Sequence, residues 1–356
     1  MYRIYRCDSE PLIRSFLALP GRLYDEEHIT GSRAEERELI EGRHFLNKYL
    51  TFTPYVLLDE NSDPAGRVAV TEYPGDAVCF FGFFECTEDA EAAETLIGAV
   101  ESFAASRGYK RVEGPLDCSL WIRYRFKTNC FDRLPYIGEP YNKPYYAELF
   151  RERGYKTVSE YASNLYGRLP AGEADRSKAR QRYDMFTSKG YVIRAPRRSE
   201  WDRCIRDVYG LIARLYTGFV TYKPITEDEF VGYFDSYRRM ADLSVIRLAY
   251  LDGVPVGFLM AVPDYGNLAA RRRSPAVLLR ALRIRRRARR YVLMYMGVLP
   301  EHRGLGLALA YPVMLEIEAR GATAVGSLIR IGNLNLHYGE NFIEERCMYE
   351  FLGKDL

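Results

Sequence analysis

Residues 291–309 read YVLMYMGVLPEHRGLGLAL, an apolar run that ends at Pro300, a loop punctuated by Gly304 and Gly306, and a second apolar run. The pattern predicts a buried strand, a short loop and a helix whose apolar positions are Leu307, Leu309, Ala310, Val313, Met314 and Ile317. Pro312 falls inside that helix and predicts a kink. The two glycines accept backbone angles that other residues resist, and they leave room for a ligand to approach the main chain. Over Arg303, Gly304, Leu305, Gly306, Leu307 and Ala308, the N–H groups of the first turn have no partner within a helix. They converge on an anion that the helix dipole also favours, which suits a diphosphate. Six residues of this kind recur by chance, so the context carries the reading: a strand before, a helix after, and a further strand-like run at Ala322–Ile331 beyond Gly321. The competing reading is an ordinary strand-loop-helix turn capped by Gly321.

Outward from this stretch, 356 residues suffice for two domains, each with its own core. The 29 tyrosines supply flat faces with polar tips for cores, interfaces and cleft walls. A net charge of +3 does not by itself imply nucleic-acid binding. The cysteines (Cys7, Cys79, Cys86, Cys118, Cys130, Cys204 and Cys347) form no CxxC pair and are odd in number, which fits reduced thiols rather than a disulfide framework or a metal site. The opening MYRIYRCDSE has no apolar signal core, and no run approaches membrane-spanning length, so a soluble cytoplasmic protein is expected.

The polar stretch Arg168–Lys189 divides the chain. The expected organisation is a first domain over 1–168, a linker and leading helix over 169–188, and a second domain over 189–356. In the second half, helices are predicted at Ser199–Tyr216, capped by Ser199, and after Thr226. A hairpin follows, Val245–Leu251 turning at Asp252-Gly253 into Val254–Val262. A basic helical insertion at 270–290 precedes the strand, loop and helix already described, and a short helix and a strand near Arg346–Leu352 close the half. The first half repeats this order in outline: helices at Ser9–Leu17 and Ala34–Asn47, strands at Tyr55–Leu58, Gly66–Tyr73 and Ala77–Glu85, then a helix at Ala90–Ser106 and a strand at Arg111–Glu113. A helix at Pro144–Arg153 and a strand at Val158–Tyr166 end it.

With Val298, Pro300, Arg303, Gly304, Gly306 and Ala308 placed after a strand, the second half resembles the GNAT acyltransferase superfamily, whose signature Arg/Gln-x-x-Gly-x-Gly/Ala is filled by Arg303, Gly306 and Ala308. The resemblance implies an α/β fold of two tandem GNAT-like domains and an acyl-CoA co-substrate, acetyl-CoA or another, with no metal. Its diphosphate is expected on Arg303–Ala308, and its pantetheine arm along the edge at Val298 and Leu299. It also implies that the strand before the loop and the next strand splay apart. The first half is similar to a GNAT unit in Pro144–Tyr155. Where its phosphate loop belongs, however, Glu85-Cys86-Thr87-Glu88-Asp89-Ala90-Glu91 offers no glycine and four acids, which repel a diphosphate. That domain is expected to be degenerate and to bind no CoA.

The implied activity is an N-acyltransferase, most simply an N-acetyltransferase, in which an amine attacks the thioester directly. Such chemistry gains more from positioning than from strong acids and bases. The family's thiolate-protonating tyrosine is matched here by Tyr338, in Asn333-Leu334-Asn335-Leu336-His337-Tyr338; the alternative is a tyrosine that packs the helix. Asn333 either holds the CoA arm or caps a helix. Ser327 either faces the substrate or permits close packing. No carboxylate interrupts Tyr291–Leu299, where a general base often sits in the family. Tyr291 and Tyr295 lie there instead, on one face if the strand is regular, and could line the acceptor pocket or relay protons. Glu301 and His302 are expected to face solvent. Trp121, Tyr124, Tyr136 and Tyr141 either reach the cleft or pack within the first domain.

The arginines 271–273, 280, 283, 285–287, 289 and 290, interleaved with Val277, Leu278, Leu279, Leu282 and Ile284, predict an amphipathic helix with its apolar side on the domain. The run is a solvated face, an attractor for CoA phosphates or an acidic acceptor, or a grip on RNA. The last option belongs to a rival function, a Fem-type transferase using aminoacyl-tRNA; a CoA-binding sensor or scaffold without turnover is the other alternative. The partners expected are a small-molecule or peptide amine and no membrane.

Overall fold

The strands and helices form because apolar runs of period two and of helical period alternate along both halves. The computed structural model describes residues 1–356 except Val220, Ser236, Arg272 and Arg273, so the second and third arginines of the basic run lie outside the described residues. The chain is mixed α/β and divides into two compact units. One comprises Met1–Tyr161, Gly266–Arg272 and Cys347–Leu356, and the other Ala162–Tyr265 and Arg273–Arg346. The change of unit at Tyr161/Ala162 falls shortly before the polar stretch expected to divide the chain, and the last residues complete the first unit rather than the second.

In the first unit, strands Arg3–Arg6, Thr51–Leu58, Pro64–Glu72 and Cys79–Cys86 pair in that order, all antiparallel. Cys79–Cys86 then runs parallel to Arg111–Gly114, and the crossover between them is helix Ala90–Ser106. Arg111–Gly114 pairs antiparallel with the C-terminal strand, Leu352 opposite Gly114. Ala92, Leu96, Ile97 and Val100 of the helix close over Phe81, Phe84 and Phe150 in one apolar cluster.

The second unit has the same order of elements. Strands Val192–Arg194, Ile246–Leu251, Val254–Pro263 and Arg290–Val298 are successively antiparallel. Asp252 and Gly253 both take positive φ, 51° and 79°, the geometry of a two-residue hairpin turn whose twist suits the flanking strands. Helix Leu305–Ala319 then crosses to Thr323–Arg330, which runs parallel to Arg290–Val298. Leu305, Ala308, Leu309, Val313 and Ile317 pack from that helix onto Leu259, Ala261 and Tyr291. Pro312 lies within the helix.

Several local expectations differ. Helix Trp201–Leu215 is entered through a 3-10 turn at Arg198–Glu200, so Ser199 lies inside that turn and is not the cap. Thr226 does cap Glu227–Asp235: its hydroxyl accepts from Glu229 N at 3.3 Å, and its own N–H donates to the Glu229 carboxylate at 3.0 Å. The late helix is two 3-10 turns, Leu334–His337 and Glu340–Phe342. The apolar side chains of the basic helix Pro275–Arg286 divide: Ala281 is buried, whereas Leu278, Leu279 and Leu282 face outward.

Candidate functional site: an opened strand pair beneath a helix start

Strand Arg290–Val298 pairs with Thr323–Arg330 only from Arg290↔Thr323 to Leu293↔Gly326, although both strands continue beyond those residues. Ser327 closes the last rung, its hydroxyl donating to the Leu293 carbonyl at 3.0 Å. Beyond it the two strands separate, and among the described residues the edge from Met294 to Val298 has no partner strand on that side. On the other side, pairing with Val254–Pro263 skips Met294: Met260 faces Tyr295 and Ala261 faces Leu293. This bulge reverses the alternation of side chains. Tyr291 and Tyr295 therefore do not share a face. Tyr291 is fully buried in the core beside helix Leu305–Ala319, its hydroxyl spent on Arg320 and on Asp242 at 3.4 Å. Tyr295 projects beside Phe234 of helix Glu227–Asp235, ring centroids 6.5 Å apart. Of the two, only Tyr295 lies on the face turned away from helix Leu305–Ala319.

The loop after the strand is built by main-chain geometry. Leu299 is spent within the fold, its N–H on Val256 O at 3.0 Å and its carbonyl on His302 N at 2.9 Å, so it offers nothing to a ligand. Alternation then turns the main-chain groups of Val298 toward the unpaired edge. Gly304 stands at φ 95°, a left-handed angle at which a side chain is strained, and turns the chain into helix Leu305–Ala319. Among the described residues, no backbone hydrogen bond outside the helix uses the N–H groups of Arg303–Ala308. Leu305 and Ala308 bury their side chains beneath the turn, and Arg303 is exposed.

Gly306 is the close point. A Cβ there would lie 3.1 Å from the Tyr338 hydroxyl and 3.2 Å from the Met296 sulfur. The hydroxyl of Tyr338 thus reaches the first turn of the helix and stands beside the residue next to Tyr295. Tyr338 is fixed from behind by groups far away in sequence. Its carbonyl accepts from the Tyr166 hydroxyl at 2.9 Å, and the buried Asn164 amide donates to Leu336 O at 2.8 Å and to the Tyr166 oxygen at 3.1 Å. Arg346 holds the Asn164 carbonyl oxygen at 2.9 Å. Burial pushes the Tyr338 pKa up, and the nearby Arg182 guanidinium partly opposes that rise.

Arg182, which no motif marks in the sequence, lies in the charged stretch expected to form a linker and leading helix. It belongs to helix Lys178–Ser188, which is anchored to the central helix by Arg180 and Tyr183 on Tyr311. Its guanidinium lies 3.6 Å from a Cβ position at Gly304, and among the described residues it pairs with no carboxylate. A signal existed: Arg182 is one helical turn before Phe186, which packs into the same core as Leu305.

The remaining candidates are placed elsewhere. Asn333 stands at the start of the Leu334–His337 turn with no side-chain capping bond, and among the described residues no hydrogen bond of its side chain links it to the loop. His302 binds the Tyr191 hydroxyl through Nδ1 at 2.7 Å, and Glu301 is exposed 3.9 Å from Arg214. Trp121, Tyr124, Tyr136 and Tyr141 are held inside the first unit; Tyr124, for example, lies against Arg125 and Tyr161.

The equivalent place in the first unit is closed. Cys79–Cys86 leaves Arg111–Gly114 after Phe80↔Glu113, but the chain's own Leu116 fills the gap, its carbonyl lying where a Cβ at Gly82 would be. At the helix start, the Asp89 carboxylate accepts from Ala92 N at 2.9 Å and occupies the position an anion would take.

Residues 206–323 match the model of the Acetyltransferase (GNAT) family. Protein YghO of Escherichia coli K12 is 22% identical over 269 residues, 72% of this chain and 67% of that protein. Among solved structures, a tandem GNAT protein from the clavulanic acid biosynthesis pathway superposes with a TM-score of 0.53 at 12% identity, covering 100% of this chain and 98% of its own. A GCN5-related N-acetyltransferase from Anabaena variabilis gives 0.52 at 9% identity, covering 100% and 73%. The chain therefore shares the fold of a tandem GNAT protein, and residues 206–323 of its second half match the acetyltransferase (GNAT) family.

Proposed function

We propose that the second unit is an acyl-CoA-dependent N-acyltransferase, most simply an N-acetyltransferase, acting on a small-molecule or peptide amine. The observation that carries this reading is the meeting of three features at Gly306: unspent amides at a helix start, an unpaired strand edge, and the Tyr338 hydroxyl. The site fits the co-substrate, since even a Cβ at Gly306 would crowd Tyr338 and Met296, which keeps the main chain there bare, and Gly304 holds the angle that opens the cradle.

Acyl-CoA supplies an activated thioester. The chain's part is to bind and to move protons. The amides of Gly304, Leu305, Gly306, Leu307 and Ala308 hold a diphosphate, with Arg303 and Arg182 as flanking cations. The Val298 edge receives the amide-bearing arm as an added strand. Tyr338 is protonated at neutral pH like any tyrosine, and burial raises its pKa further, so its Oη–H can donate to the departing thiolate. Tyr295 lines the acceptor side. A thiol-release assay with acetyl-CoA and longer acyl-CoAs across an amine library tests the reading. Turnover with at least one amine is expected. Activity that requires aminoacyl-tRNA and ignores acetyl-CoA would establish the Fem-type alternative, and CoA binding without turnover would establish a sensor.

A further inference from the structure

The basic helix takes no part in the site above. Its start is built, with the Ser274 hydroxyl accepting from Val277 N at 3.2 Å and Pro275 in the first turn. One face is pinned to the second unit: Ala281 is buried, Arg285 donates to Arg239 O at 2.7 Å, and Ala288 packs against the core. Among the described residues, the other face makes no hydrogen bond or ion pair. Leu278, Leu279 and Leu282 are 53%, 67% and 39% exposed, and at helical spacing they form one patch flanked by Arg283 and Arg286.

The cations separate in the same way. Arg271 pairs with Glu26 at 3.3 Å and Arg290 with Asp264 at 2.5 Å. Among the described residues, Arg280, Arg283, Arg285, Arg286, Arg287 and Arg289 make no ion pair, and no acid occurs anywhere in 271–290. A merely solvated face needs no row of outward leucines, and phosphate backbones offer leucine nothing to cover it. A partner that satisfies both halves of the patch carries dense negative charge directly above an apolar layer.

We propose that helix Pro275–Arg286 is a docking surface for an anionic lipid bilayer, with Leu278, Leu279 and Leu282 seated at the acyl boundary and the unpaired arginines among the headgroups. Each arginine near such a surface multiplies binding by about fivefold, so the row supplies affinity that neutral lipid cannot. The protein then lies on a membrane without spanning it; among the described residues no helix is long and apolar enough to cross one.

The test is co-sedimentation of the full chain with vesicles of phosphatidylcholine alone or with about 30% phosphatidylserine. Binding is expected only to the anionic vesicles. Leu278→Ser with Leu279→Ser should weaken it by about tenfold or more, and so should Arg283→Glu with Arg286→Glu. All four side chains are exposed, so unchanged melting is expected, and the single variants Leu279→Ser and Arg286→Glu give a second reading should either pair fail to fold. Absence of binding to anionic vesicles overturns the proposal. So does binding that survives the leucine changes, or a gel shift of tRNA that the arginine pair abolishes while vesicle binding stays intact.

Discussion

Replacing Gly306 by Ala tests the site with one added methyl. Ordinary carbon contacts lie near 3.5–4.0 Å, and the new Cβ would meet the Tyr338 oxygen at 3.1 Å and the Met296 sulfur at 3.2 Å. Met296 ends in a flexible thioether and can yield. Tyr338 cannot move freely, because Tyr166 grips its carbonyl at 2.9 Å and Asn164 grips Leu336 at 2.8 Å. The methyl therefore displaces the tyrosyl oxygen by a few tenths of an ångström. Overpacking of this kind costs about 1–3 kcal/mol, offset by about 0.5–1 kcal/mol for removing a glycine from a helix. The net loss of about 0–2.5 kcal/mol lowers Tm by no more than about 10 °C in a unit of this size. Catalysis should suffer more than stability. Misplacing the proton donor and crowding the cradle should lower kcat/KM for acetyl-CoA by about tenfold to a hundredfold. Thermal melting and thiol release on the same preparation give both numbers. Wild-type kinetics in a folded Gly306→Ala protein would refute the claim that this turn and Tyr338 serve the reaction.

Tyr338→Phe should lower kcat by about a hundredfold or more while leaving KM for the acyl donor nearly unchanged, as read in initial-rate kinetics. Because burial raises the Tyr338 pKa, its donor form persists below the raised value and is lost as pH rises through it. An alkaline limb due to Tyr338 should therefore lie above about 10 in the pH–rate profile, and a limb well below that value that Tyr338→Phe removes contradicts the assignment. Arg182→Ala removes the one cation opposing that rise, so it should shift the limb further up and raise KM for acyl-CoA by about tenfold. Asn164→Leu leaves the Leu336 carbonyl and Arg346 without this partner and should cost about 1–3 kcal/mol in denaturant unfolding, with loss of the fixed Tyr338 position seen as a lower kcat.

Elements with strong periodicity were legible in the residues. Ala90–Ser106 stands where its apolar spacing put it, and Asp252-Gly253 makes the turn its chemistry demands. The strand, loop and helix at 290–319 were legible because glycines and an apolar run mark them locally. What was not legible depends on partners distant in sequence. The bulge at Met294 leaves no mark in the residues, and it sends Tyr291 into the core and Tyr295 to the opposite face, beside Phe234. Ser327 and Leu299 read as candidates until pairing shows their polar groups already spent. Arg182 gains its place through helix packing, and the division of Leu278, Leu279 and Leu282 from Ala281 depends on which face the core accepts. The closing of the first unit's cleft by Leu116 likewise needs a segment that no motif announces.

Amide resonances of Arg303–Ala308, followed in nitrogen-15 spectra as acetyl-CoA is added, test most directly whether main-chain N–H groups at the start of helix Leu305–Ala319 seat the diphosphate. The amides of Gly304, Gly306 and their neighbours are expected to show the largest shifts in the chain and to lose them in Gly306→Glu. Saturating acetyl-CoA that leaves those amides unmoved while shifting others would contradict the account.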